Sequence, residues 1–167
     1  FGMISIGLKE GSFNLSEKKR CYIELNEKSE LIFWGKAIIS KGSVICCSNN
    51  AKIILGNNFS CNANCIITAQ KEIRFGDNNL IGWNVNVMDG DGHDIFKDNQ
   101  IINFSRNIEI GNDVWIASNV TVLKGTKITD GSIVACNTTI SGDFNTGSCI
   151  ISGTKGKIIK EGISWVV

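Results

Sequence analysis

His93 is the only histidine in the chain, and it stands in an acidic, glycine-rich stretch, DGDGHDIF. A neutral imidazole can take the proton of a hydroxyl while that hydroxyl attacks a carbonyl, which is general-base chemistry. Histidine suits the task because it ordinarily titrates at about pH 6.5, so most of it is neutral at pH 7. The competing reading is an idle histidine on a surface loop. A working imidazole needs a partner that fixes its tautomer and orientation. Asp91 and Asp94 rank alike for that role, ahead of Asp89, and a backbone carbonyl could serve instead. All three acids could equally be turn formers. Just upstream, Trp83 could shape a binding site or simply pack. Asn84 and Asn86 could face a ligand or take a left-handed turn.

Seven cysteines offer a second chemistry: Cys21, Cys46, Cys47, Cys61, Cys65, Cys136 and Cys149. Cys61 and Cys65 lie close, but no second Cys/His pair follows at metal-ligand spacing, so no metal site is expected. An odd number of cysteines argues against a disulfide framework. The start, FGMISIGLKEGSF, lacks a basic segment followed by an apolar one, so no signal peptide is expected. Together these point to inert buried thiols and a reducing, cytoplasmic setting. Lys plus Arg number 17 against 16 Asp plus Glu. That balance gives no reason to expect a nucleic-acid or anionic-membrane partner. No apolar run approaches the roughly 20 residues of a membrane span.

The scaffold around these residues is written as a repeat. From residue 110 the chain reads IGNDVW, IASNVT, VLKGTK, ITDGSI, VACNTT, ISGDFN. The first position is always β-branched: Ile110, Ile116, Val122, Ile128, Val134, Ile140. A helix repeats its apolar positions at about 3.6 residues and a strand at 2, so a period of six fits neither. It fits a solenoid in which each hexad is one short strand and one turn, three hexads closing a triangular coil. Ile110 then stacks on Ile128, Ile116 on Val134, and Val122 on Ile140. KIILGNN, EIRFGDN and NIEIGND read as equivalent coil starts, with Gly56, Gly76 and Gly111 in equivalent places. Register slips near 51–55 and 69–75 imply enlarged corners. The long interval from Gly76 to Gly111 implies an excursion at 88–106, and long loops on regular scaffolds often carry function.

The expected organisation is one all-β domain over 1–167: cap coils at 1–35, hexapeptide coils at 36–153, and a C-terminal cap at 154–167. Caps hide the terminal layer and its strand edges. The absence of Pro and the abundance of Gly and Asn suit turns rather than helices.

IGWNVNVMDGDGHDI, a short loop, then IEIGNDVWIASNV and the hexads after it resemble the hexapeptide-repeat acyltransferases of the sugar and polysaccharide O-acetyltransferase type. The resemblance covers about residues 39–165. It implies a left-handed parallel β-helix, against the usual right-handed crossover rule. It implies a homotrimer with active sites in clefts between subunits, acetyl-CoA as co-substrate, a sugar or glycan hydroxyl as acceptor, and His93 as general base. By motif, Ala117, Ser118, Ala135 and Cys136 would line the CoA groove, with Ser141 beside them. Trp115 would pack at the subunit interface or the CoA cleft, and Lys157 would meet the CoA phosphates. Trp83, Asn84 and Asp89 would face the acceptor. The Asn-Pro-Ala turn usual before the basic residue is replaced here by Thr154, Lys155 and Gly156. An amine or other small acceptor is the alternative substrate. A non-catalytic β-solenoid is the alternative class, although no sustained outward threonine ladder marks it. A zinc enzyme on this fold needs several histidines.

Overall fold

The structure is a computed structural model that describes residues 3–8 and 20–166. The 9–19 part of the expected N-terminal cap, and residues 1, 2 and 167, lie outside the described residues.

The chain winds as a left-handed parallel β-helix with three faces. The first face stacks Ile4–Leu8, Ala37–Ser40, Phe59–Cys61, Leu80–Ile81, Trp115–Ile116, Ile133–Val134, Cys149–Ser152 and Lys157–Glu161. The second stacks Tyr22–Leu25, Val44–Cys47, Ile66–Ala69, Asn86–Met88, Thr121–Leu123, Thr139–Ile140 and Thr154–Lys155. The third stacks Glu30–Phe33, Lys52–Leu55, Glu72–Phe75, Ile108–Ile110, Lys127–Ile128 and Asp143–Phe144.

The six-residue period sets this arrangement, because one aliphatic residue per strand points inward. Ile110 pairs with Ile128, Ile116 with Val134 and Val122 with Ile140, as the repeat requires. The second face continues the column through Ile45, Ile67 and Val87. These side chains are almost fully buried. Burying an Ile or Val contributes about 1.5–3 kcal/mol, so this column of five is a large part of the stability.

Corners are where the sequence spends its asparagines. Between the first and second faces, Asn64, Asn84, Asn119 and Asn137 all have φ near 60°. Asparagine tolerates that left-handed turn better than other side-chain-bearing residues. The amides then form a ladder: Asn64 donates to Asn84 at 3.2 Å, and Asn84 donates to Asn119 at 3.1 Å. At the corner between the third and first faces, a Cβ on Gly56 would collide with the Gly76 backbone, which explains the glycine of that coil start.

Equivalent atoms stand 20 residues apart before the excursion, 35 across it and 18 after it. The expected slips are therefore enlarged corners between the second and third faces. The final strand, Lys157–Glu161, turns back antiparallel on Cys149–Ser152 and covers that edge of the first face.

Candidate active site

The excursion leaves the second face after Met88 and rejoins the third at Ile108. It contains a hairpin, Phe96–Lys97 against Gln100–Ile101. Its turn residues Asp98 and Asn99 have φ of 51° and 61°, the pattern of a two-residue type I′ turn. The sequence predicts only a loop here; the two-residue Asp-Asn turn between FK and QI is the signal of the hairpin.

His93 sits before this hairpin, exposed, and its ring makes no hydrogen bond to another described residue. Its carbonyl accepts from Asn103 Nδ2 at 2.8 Å. Asp91 is turned to other partners: Asn103 Nδ2 at 2.8 Å and Lys124 Nζ at 2.5 Å. The Lys124 hydrogen bond, followed by that from Asn103, holds the Asp91 carboxyl below the usual range. Asp94 is exposed and makes no bond to the imidazole. A groove of about 370 Å³ opens beside the excursion on the second face, lined by Cys46, Thr68, Gln70, Met88, Asp91 and Gly92 among others.

Ala117, Ser118, Ala135 and Cys136 occupy the other edge of the second face, stacked at the corner with the first. Val134 pairs with Ile116, and the Asn137 N–H donates to the Ser118 carbonyl at 3.1 Å. The Trp83 N–H donates to Ser118 Oγ at 3.2 Å, so Trp83 belongs to this corner as well. A Cβ on Gly82 would come within 2.6 Å of the Ser118 nitrogen, so the coils approach closely here. Small residues keep this corner thin and its backbone near the surface.

The bacterial transferase hexapeptide (six repeats) family matches residues 107–142. The galactoside O-acetyltransferase of Escherichia coli K12 is 31% identical over 117 residues, 68% of this chain and 56% of that protein. The polySia-specific acetyltransferase NeuO superposes with a TM-score of 0.68 at 21% identity, covering 88% of this chain and 84% of that one. A hexapeptide-repeat acetyltransferase of Vibrio cholerae O1 biovar eltor, complexed with acetyl coenzyme A, gives 0.62 at 21% identity, covering 81% and 71%. The chain carries the bacterial transferase hexapeptide repeat and shares its fold with hexapeptide-repeat acetyltransferases. It spans about half the length of the curated relatives it matches.

The other expected site residues are spread over the stack. Asp89, expected to face an acceptor, is fully buried. Its carboxylate accepts the Gln70 and Lys71 N–H groups at 2.6 and 2.8 Å, closing the enlarged corner below the excursion. Asn84, expected beside it, is engaged through its amide in the corner ladder. Ser141, grouped with the groove residues, lies at the opposite edge of the second face, because Thr139–Ile140 has already crossed that face. Trp115 points outward from the first face and packs on Trp165, ring centroids 5.9 Å apart. Lys157 is exposed and pairs with Ser152, the next layer of the corner that holds Ala135. Burial lifts the Cys47 thiol to about 11, and the neighbouring Cys65 thiol, followed by burial, pushes Cys61 up. Cys136 is the exposed one.

Sequence reasoning missed Asn103, Lys124 and Gln70. Gln70 meets Ser105 at 2.9 Å across the base of the excursion. No spacing rule links residues 35 apart; only the coil geometry makes them neighbours.

Proposed function

We propose that this chain is an acetyl-CoA-dependent O-acetyltransferase whose acceptor is a sugar or glycan hydroxyl, working as a homotrimer in the cytoplasm. The observation that carries the reading is the position of His93. The repeat is broken once at length, and that excursion presents the chain's only imidazole immediately before the IGNDVWIASNV coils. The relatives support the chemistry: one is a galactoside O-acetyltransferase, another a polysialic acid O-acetyltransferase, and one neighbour was solved with acetyl coenzyme A.

In this reading His93 removes the acceptor hydroxyl's proton as the oxygen attacks the thioester carbonyl, and returns it to the departing thiolate. A backbone N–H at the thin corner would stabilise the oxyanion. Ala117, Ser118, Ala135 and Cys136 would bind the pantetheine arm through their main chain, and Lys157 would meet the phosphates.

His93 and that corner lie at opposite edges of the second face, about five residues of extended chain apart, or roughly 16 Å. A cleft between two copies brings the excursion of one to the corner of the next, which is the support for a shared site. The outer faces agree. The third is charged, with Glu30, Lys52 and Glu72 in register and Arg74, Glu109, Lys127 and Asp143 in another row. The first carries Ile38, Leu80, Trp115, Ile133 and Ile150 outward. An apolar outer face of this kind marks an interaction surface. Free cysteines and the absence, among the described residues, of a helix able to cross a membrane accord with the cytoplasmic placement.

The test is release of CoA with a panel of glycans, comparing the natural chain with His93→Ala. A loss of roughly 100-fold or more in kcat is expected, as for removal of a general base. Turnover that survives in the variant overturns the assignment.

A further inference from the structure

Residues 91–100 are exposed throughout, so no apolar core holds the segment that carries His93. Its position must come from polar anchors, and those converge on two side chains. The Asn103 amide uses both its ends. Its Nδ2 donates to the Asp91 carboxylate and to the His93 carbonyl, each at 2.8 Å. Its Oδ1 accepts the Ile95 N–H at 2.7 Å. One amide therefore grips the chain before, at and after the histidine. Lys124 ties this knot to the solenoid. It follows Thr121–Leu123 on the second face, and its side chain is only 17% exposed. Its ammonium donates to the Asp91 carboxylate and to the Asn103 carbonyl, the latter at 2.9 Å.

We propose that Asn103 and Lys124 are positioning residues: together they fix the peptide that carries His93 against the rigid second face. The inference rests on the reading of His93 as general base. Neither side chain touches the imidazole, so neither takes part in proton transfer. Asp91, whose sequence position suggested an imidazole partner, serves as the link between them. Lys124 fills the space under the excursion and neutralises the carboxylate there, so the loop is held by a charge-assisted bond. Removing either residue leaves the solenoid core intact, since both lie outside the inward columns.

The experiment compares Lys124→Met, Lys124→Arg, Asn103→Ala and His93→Ala with the natural chain. It measures kcat, KM for acetyl-CoA, the thermal midpoint, and hydrogen exchange of the Ile95 amide. Displacing a catalytic group by about 1 Å can cost roughly 100-fold. Lys124→Met and Asn103→Ala are therefore expected to lower kcat by about 10- to 100-fold with KM for acetyl-CoA nearly unchanged. Lys124→Arg should recover most of the activity, and the Ile95 amide should exchange faster in Asn103→Ala, where it has lost its acceptor. Unchanged kcat in Lys124→Met and Asn103→Ala, beside a dead His93→Ala, overturns the positioning role alone. Unchanged Ile95 exchange in Asn103→Ala overturns it whatever turnover does. Full turnover in His93→Ala overturns the base and this inference with it.

Discussion

Among single residues, Asp89 has the clearest consequence. Burial raises its carboxyl, while the N–H groups of Gln70, Lys71 and Glu72 pull it part of the way back. A raised carboxyl binds its proton more tightly in the folded chain than in the unfolded one. The folded state is therefore favoured at low pH, and the contribution declines as pH climbs from the ordinary carboxylate value to the raised one. Asp89→Asn should remove that decline, seen as a flatter dependence of the urea midpoint on pH just above about 4. The same slope in both chains would mean that Asp89 is ionised as easily folded as unfolded. The variant also sets a side-chain NH2 against a backbone N–H, so it should be less stable at every pH. A lost hydrogen bond of this kind costs about 1–3 kcal/mol.

Among elements, the corners carry a separate share of the stability. Asn119 holds φ at 58° between two strands of the stack, and its side chain accepts from Asn84. Asn119→Ala pays the left-handed penalty of about 1–2 kcal/mol and breaks the ladder. Asn119→Gly loses only the ladder and should fall between the natural chain and the alanine variant in denaturant melts. An alanine variant as stable as the glycine one would show that backbone conformation is not what selects asparagine there. The excursion hairpin obeys the same rule through Asp98 and Asn99, though it stands outside the buried core.

The contrast between faces concerns the whole molecule. Ion pairs such as Lys127–Glu109 at 3.3 Å decorate the third face and contribute little each. The first face presents Ile133 and Ile150 outward, half-buried in the single chain. Light scattering should return three times the chain mass. Ile133→Glu should shift the molecule to monomers and abolish turnover while leaving the circular dichroism of the β-helix in place. A monomeric natural chain that still turns over would overturn the shared cleft.

Much of this was legible in residue order. The inward columns were, because a solenoid writes its core as a period and parallel stacking preserves it: Ile116 falls on Val134 by counting alone. The excursion was, because it interrupts the count. The handedness was not in the period, which serves either sense of winding; family resemblance supplied it. Side-chain partners were not legible either. Asp89 and Asp91 are neighbours of His93 in sequence, yet one closes a corner beneath the excursion and the other pairs with Lys124, 33 residues on. Hydrogen bonds between coils depend on how many residues each corner absorbs, and only the folded stack sets which atoms arrive opposite one another. Residue order alone sends His93 out of the solenoid; the folded stack sets what holds it there, because the anchors come from different turns of the helix.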